Sequence, residues 1–447
     1  MKFGDHIEGT IEDVDHKGRG VFTYHLPHDQ KETRSVAIPF AMPGDVVDAT
    51  FSKRDQGTWI GKLAGIKSPS SNRVAAPCPH AGVCGGCLWQ HMNYEAQLAL
   101  KTQKINQAFT EAGHVERIDG VTPSVDTLNY RNRMDYVIGW QGELGLKEYG
   151  SWNRYLDLTT CLLLDEESPK ILQYMRDWMK AFTLAPWDAR THTGLIRYCV
   201  MRLGRNTQER MVTVIVKEAK AISSEARVRL VELLSPLATS IYLGENPEIT
   251  DVSLAKTLTL LHGNEFLREE VNGLVYLVHP NSFFQTNTRM AAALQDTVLK
   301  HLGGAKNILD LYCGSGFFGI ACAKQGITVY GHELDAHAIE LAKRNAELNQ
   351  VEDHTTFVAG PTEDLSWNTL RPDAVIVDPP RSGLHPRALE TLLKERPPVI
   401  VYVSCNYRRL MEELTQLKTV YRIEAIEALD LFPQTPHVEL VVTLVRV

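Results

Sequence analysis

NILDLYCGSGFFGIACA, residues 307–323, runs an apolar β-type segment into Gly314-Ser315-Gly316 and then into a helix of small and apolar residues. Glycines between a strand and a helix let backbone approach a ligand, and the helix N-terminus supplies free N–H donors. The next apolar run, TVYGHE, ends in Glu333, an acid suited to ribose hydroxyls. Two further runs, DAVIVD and PVIVYVSC, follow with helical stretches such as AHAIELAKRNAELN between strands. This alternation predicts a parallel sheet covered on both faces, a doubly wound α/β domain over residues 271–447. RIEAIEALDLF and HVELVVTLVRV read as a closing strand pair.

A glycine loop followed by an acid marks a nucleoside-type pocket, open to a dinucleotide or to S-adenosylmethionine. Gly314, Gly316 and Gly319 meet the dinucleotide spacing. The fourth run decides against that reading. Asp378-Pro379-Pro380 is a stiff turn holding a polar group at a strand end, and it resembles the fourth motif of nucleic-acid and amine methyltransferases. Cys405 closes the fifth run and is followed by polar Asn406, Tyr407 and Arg408. Ligands bind outside the carboxyl ends of strands in such sheets, so Cys405 lies where chemistry occurs rather than inside a core. Carbon 5 of uracil needs a thiolate at C6 before it attacks a methylsulfonium, and a base must then remove the C5 proton. Cys405 is the candidate nucleophile. Glu439, near the start of a final antiparallel strand, is the candidate base.

Outward from this domain, residues 71–270 mix strands (DYVIGW, MVTVIV, SIYLGE) with helices such as SPKILQYMRDWMKAF, predicting an α+β central domain. YEAQLALKTQKINQAFTEAG reads as a helix with a Gly stop. Residues 1–70 contain five short alternating runs separated by Gly, Pro and Asp, the pattern of a small OB-like β-barrel. Its IPFAMPGDVV turn resembles the RNA-binding barrel called TRAM. The linker KSPSSNRVAAP joins it to Cys78, Cys84 and Cys87, with Cys161 a distant fourth thiol. By spacing, such a quartet suits a tetrahedral zinc ion or a four-iron cluster equally.

The net charge of −7 gives no nucleic-acid footprint, and the first 76 residues hold ten Lys and Arg against ten Asp and Glu. Basic residues gather only at Arg131 and Arg133 and at Arg197, Arg202, Arg205 and Arg210. The charged N-terminus lacks an apolar signal region and no apolar run is long enough for a bilayer, so a cytoplasmic protein with no membrane contact is expected. Nothing in the pattern calls for an obligate protein partner.

PNSFFQTN (residues 280–287), LDLYCGSG, DPPRSG, YVSCN, PHVE and the cysteine spacing, in that order of role, resemble the RNA uracil-5 methyltransferase family, above all its 23S ribosomal RNA members with a TRAM barrel and a [4Fe-4S] cluster. The resemblance spans nearly the whole chain. It implies a class I methyltransferase domain, Cys405 as nucleophile and Glu439 as base. Gln285, Tyr312, Glu333 and Asp378 match positions lining the S-adenosylmethionine pocket, beside Gly314 and Gly316. Phe283 matches an aromatic near the target base, and Arg131 and Arg133 a basic segment near RNA. Phe317 departs, since many relatives carry a polar residue there. The resemblance favours the iron–sulfur cluster at Cys78, Cys84, Cys87 and Cys161, in a structural role, and 23S ribosomal RNA as partner, with transfer RNA as alternative. Two rival readings are an amine-directed methyltransferase that uses Asp378 without a nucleophile and an RNA-binding protein with a degenerate methyltransferase domain.

Overall fold

The computed structural model describes residues 2–26, 29–361, 365 and 370–447, with the side chains of 29–31 excepted. At the N-terminus the strands His6–Thr10, Asp13–Val14, Gly20–Leu26, Asp29–Ile38, Val46–Asp55 and Thr58–Ser68 form one sheet in the order first, fifth, sixth, fourth, third, second. The run expected as a single first strand is two, because the chain turns there from one edge of the sheet to the other. Only Ile11 and Glu12 separate those edges; Ile11 N–H donates to the Asp45 carbonyl and Glu12 N–H to that of Val21. The sheet therefore rolls up until its edges meet, around a core of Ile7, Phe22, Val36, Val47 and Trp59. The linker is pinned to this unit: Arg73 pairs with the fully buried Asp45 at 2.7 Å.

The central sheet has seven strands in the order Thr257–Gly263, Ser240–Glu245, Arg210–Val216, Ile196–Leu203, Arg133–Ile138, Leu144–Lys147 and Tyr155–Asp157. Alternation along Arg133–Ile138 sends Met134, Tyr136 and Ile138 to a core shared with the helix Ser168–Ala181, whose Ile171, Leu172, Met175 and Trp178 are fully buried. Val137 turns to the opposite face with Tyr198 and Val200.

The C-terminal sheet runs Thr355–Ala359, Thr328–Glu333, Asn307–Leu311, Ala374–Val377, Val399–Ser404, Glu439–Arg446, Tyr421–Leu429. All neighbours are parallel except Glu439–Arg446, which is antiparallel to both of its partners. Ile308 faces a core with the helices Thr288–His301, Phe317–Lys324 and Ala336–Leu348, while Leu309 and Leu311 face a second core with Pro386–Glu395 and Tyr407–Leu417. Two elements come from upstream. The hairpin Leu267–Val271/Leu274–Val278, within which position 270 falls, buries its apolar residues in the first core. The helix Tyr94–Glu111 contributes Ile105 and Phe109 to the second. Among the described residues no helix is long and apolar enough to cross a membrane.

Candidate active site

Strand register brings the candidate residues to one edge. Leu311 pairs with Val377, Val377 with Tyr402, and Ser404 with Leu440. The residues just beyond these pairs are Tyr312, Asp378, Cys405 and Glu439, so Cys405 and Glu439 stand opposite one another across neighbouring strands, a separation of about 5 Å between Cβ atoms for such pairs. Cys405 is half-buried and Glu439 is 3% exposed.

The loop after Asp378 is held from three sides. Gly383 N–H donates to the Pro380 carbonyl at 2.8 Å, Leu384 N–H to Glu413 Oε1 at 3.0 Å, and Asn406 Nδ2 to the Arg381 carbonyl at 2.9 Å. That keeps the Arg381 guanidinium close enough to the Cys405 thiol to act on its charge. Burial, then the Glu439 carboxylate, pushes Cys405 up to about 11, with Arg381 opposing. Burial and its neighbour Asp378 hold Glu439 well above the usual carboxylate range, and burial raises Asp378 as well. A raised carboxylate is a stronger base once ionised, which suits removal of a carbon-bound proton. Because the thiolate fraction grows about tenfold per pH unit below the pKa, iodoacetamide alkylation of Cys405, read by peptide mass, is expected to quicken about tenfold per unit from pH 7 to 9. Arg381→Ala removes the opposing cation, and alkylation at fixed pH should slow several-fold; an unchanged rate would contradict the placement.

The glycine loop has the geometry the sequence asks of it. Tyr312, Gly314 and Gly316 have φ of 61°, 53° and 85°. Gly316 caps the helix Phe317–Lys324 and makes no side-chain cap hydrogen bond. A Cβ at Gly319 would come within 3.0 Å of Val329 and 3.1 Å of Asp310, so this third glycine serves helix–strand packing. Glu333 accepts from the N–H of Gly314 at 3.2 Å and of Asp335 at 3.0 Å, fixing its carboxylate beside the loop. Asp310, fully buried beneath it, accepts from Gly319 N–H and is pushed up to about 8 by burial, then by Asp378. Phe317 is 8% exposed in an aromatic cluster with Tyr276 and Phe284.

The Pro280–Asn287 loop arrives from the other side, pinned by the central sheet. Asn132 Nδ2 donates to the Gln285 carbonyl at 2.7 Å, and Arg202 donates to the carbonyls of Pro280 and Ser282. Gln285 Nε2 then reaches Asp378 Oδ2 at 3.5 Å. Phe283 on the same loop is 70% exposed. Arg202 is therefore a structural residue, and so are its neighbours: Arg197 donates to the Asn246 and Glu248 carbonyls, Arg205 to those of Arg131 and Leu164, and Arg210 to Leu237 and Asp165. The Arg197–Arg210 segment forms no surface patch. Arg133 pairs with Asp135 at 2.9 Å.

Cys405 opens onto a cleft of about 1120 Å³ where the three sheets meet. Its cations come from each of them: Lys17 from the N-terminal unit, Arg131 from the central one, and Arg381, Arg408 and Arg409 from the C-terminal one. Asp135 and Glu412 are its acids. Arg131 thus reaches the cleft, whereas Arg381, Arg408 and Asn132 are residues that sequence reasoning quoted inside motifs but did not single out as site residues. Their only signal was position, three residues past Asp378, three past Cys405, and between Arg131 and Arg133.

Cys78, Cys84, Cys87 and Cys161 line one small pocket. Among the described residues no group of three or more His, Cys, Asp or Glu side chains is arranged to hold a metal ion. The segment that carries the first three thiols bridges the molecule: Leu88 and Trp89 N–H donate to the Gln434 carbonyl and Trp89 Nε1 to the Gly18 carbonyl at 2.8 Å.

A sheet of this order, with a glycine loop and an acid closing the neighbouring strand, defines the class I methyltransferase fold. The model of the tRNA (Uracil-5-)-methyltransferase family matches residues 248–447. The chain is 35% identical over 98% of its length to a tRNA (uracil(54)-C(5))-methyltransferase of Pyrococcus horikoshii, covering all of that protein. It is 33% identical over 98% of its length to the 23S rRNA (uracil(747)-C(5))-methyltransferase of the same organism, covering 99% of it. Among solved structures, a Pyrococcus abyssi tRNA (uracil-54, C5)-methyltransferase in complex with S-adenosyl-L-homocysteine superposes with a TM-score of 0.80 at 33% identity, over 98% of this chain and 100% of that one. The chain belongs to the RNA uracil-5 methyltransferase family, an S-adenosylmethionine-dependent enzyme acting on RNA. That membership sets aside the amine-directed and non-enzymatic readings.

Proposed function

We propose that the protein methylates C5 of one uracil in a folded RNA through a covalent adduct at Cys405, with Glu439 as the base. The observation that carries this is the pair itself: a thiol and a buried carboxylate facing each other across adjacent strands at the end of a basic cleft. S-adenosylmethionine supplies an electrophilic methyl group when bound. The backbone at Gly314 and Gly316, the carboxylate of Glu333, and the side chains of Tyr312, Gln285 and Asp378 would hold it. Arg381 favours the Cys405 thiolate, which adds to C6 and leaves negative charge on C5 and O4. C5 takes the methyl group, Glu439 removes the C5 proton, and the Cys405–C6 bond breaks to return thiolate and the C5=C6 double bond. Phe283 and Arg131 contact the RNA, with Arg133 behind them fixing Asp135.

The partner proposed first is transfer RNA. Relatives named for uracil 54 of transfer RNA match at 35% and 38%, against 33% for the 23S ribosomal relative. The sequence resemblance had favoured ribosomal RNA. Mapping of 5-methyluridine by mass in RNA from a deletion strain tests this: loss of one transfer RNA methyl supports it, and loss confined to 23S RNA overturns it.

The division at residues 70 and 270 is retained, with the barrel as a TRAM-type RNA-binding unit and Tyr94–Glu111 and the hairpin lent to the catalytic domain. The cysteine quartet is assigned to a four-iron cluster on the family resemblance, with one zinc ion as the alternative. Its four thiols line one small pocket. Anaerobically purified protein is expected to carry about four irons and four sulfides; stoichiometric zinc without visible absorption would contradict it.

A further inference from the structure

We propose that an aromatic pocket on the central sheet binds a second, unstacked nucleobase of the same RNA. The pocket, about 210 Å³, is walled by Trp152, Tyr155, Trp187 and Tyr198 and floored by Arg197. It shares no residue with the cleft at Cys405. The proposal rests on the chain's being an RNA enzyme and is independent of how methyl transfer proceeds.

Four observations carry it. First, Trp152 is 64% exposed and Ile249, on the opposite wall, is 66% exposed, an apolar rim that water covers in the free protein. Second, two cations are stacked on the pocket's Trp187, Lys217 at 4.8 Å and Arg197 at 5.1 Å from its ring centre, and Arg190, next in sequence to the lining residue Ala189, lies 3.7 Å from the Trp140 ring centre. Aromatic planes interleaved with cations are what a nucleobase and its phosphates require. The acids here are already engaged, Asp188 by Arg190 and Asp251 by Lys147 and Tyr198. Third, Arg197 is 1% exposed, yet its Nε has no hydrogen-bond partner among the described residues, an unsatisfied donor at the pocket floor. Fourth, the pocket and the cleft are bordered by one strand, Arg133–Ile138. Asp135 borders the cleft and Val137 the pocket. Two residues apart on one strand, they point to the same face about 6.6 Å from each other. RNA leaving the cleft along this face meets Trp152 within a short stretch of unstacked strand.

A ring stacked on the open face of Trp152, with its phosphates toward Lys217, satisfies all four. Single-stranded RNA is bound in this way, by bases splayed onto aromatic planes.

The test uses full-length protein and whichever unmodified transcript, transfer RNA or 23S ribosomal RNA, the wild type methylates. Trp152 is exposed, so its replacement leaves the core intact. Trp152→Ala is expected to raise the Kd for that transcript, measured without methyl donor, roughly tenfold, the scale of one base–aromatic stack. KM for RNA should rise in parallel with kcat and donor affinity unchanged, and Trp152→Phe, which keeps a stacking plane, should restore most of the affinity. Quenching of indole emission on RNA binding should shrink in the alanine variant. An RNA Kd unaltered by Trp152→Ala overturns the proposal and leaves the pocket to an apolar protein segment. A Trp152→Phe variant as weak as alanine also overturns it, since bulk rather than stacking would then matter. Because Kd is read without turnover, neither result depends on the roles of Cys405 and Glu439.

Discussion

Cys405→Ala is expected to lower methyl transfer by roughly four orders of magnitude or more while binding S-adenosylmethionine within about twofold of wild type. The thiol stands on the wall of the cleft, whereas the glycine loop lies two strands away across the sheet and Glu333 three. Removing it deletes the group that raises electron density at C5 without touching the residues that hold the donor. Calorimetry with the donor and a filter assay for methylated RNA separate the two quantities. Substantial residual transfer would mean that C5 is activated without covalent attack.

Glu439→Gln is expected to stall the reaction later, with turnover reduced roughly 10²- to 10⁴-fold, the scale of a lost general base. Once C5 carries the methyl group it is saturated, and the Cys405–C6 bond cannot break until the C5 proton leaves. The variant should therefore accumulate a protein–RNA adduct that already contains the methyl group and survives denaturing electrophoresis. Glutamine keeps the shape of a 3% exposed side chain and removes the like-charge contact with Asp378, so loss of folding is not the expected cause. Asp378 is the rival, since it is also buried at the same edge and raised. Normal turnover by Glu439→Gln, with a methylated adduct in Asp378→Asn, would transfer the role to Asp378.

The C-terminal sheet was largely legible because three of its strands are apolar runs that lead into a chemically distinctive residue, Glu333, Asp378 or Cys405, whereas the edge strand Thr355–Ala359 carries no such mark. Antiparallel placement of the last strand followed from two consecutive β-type runs, and it sets Glu439 opposite Cys405. What stayed hidden depends on contacts distant in sequence. No local pattern indicates that Tyr94–Glu111 covers a sheet beginning two hundred residues later, because an apolar helical stripe does not name the surface it meets. The arginines between 197 and 210 look like a basic surface in one dimension, yet their guanidinium groups satisfy backbone carbonyls of loops that the sequence cannot bring to them. The strand break at Ile11 has the same origin, since it answers to the chain's passage from one edge of the sheet to the other rather than to the residues themselves. Arg381 was visible as a letter in a motif; that it faces the Cys405 thiol follows only from the folding back of the loop after Pro380.

Release of hydrogen from carbon 5 tests the central claim most directly. With RNA transcribed from uridine tritiated at C5, each methyl group placed on C5 must expel one tritium to water, whereas methylation at a nitrogen or a ribose oxygen expels none. The account predicts one tritium released per methyl incorporated by wild type. For Glu439→Gln it predicts methyl incorporation into the adduct with tritium retained. Methyl transfer by wild type without tritium release would contradict the account.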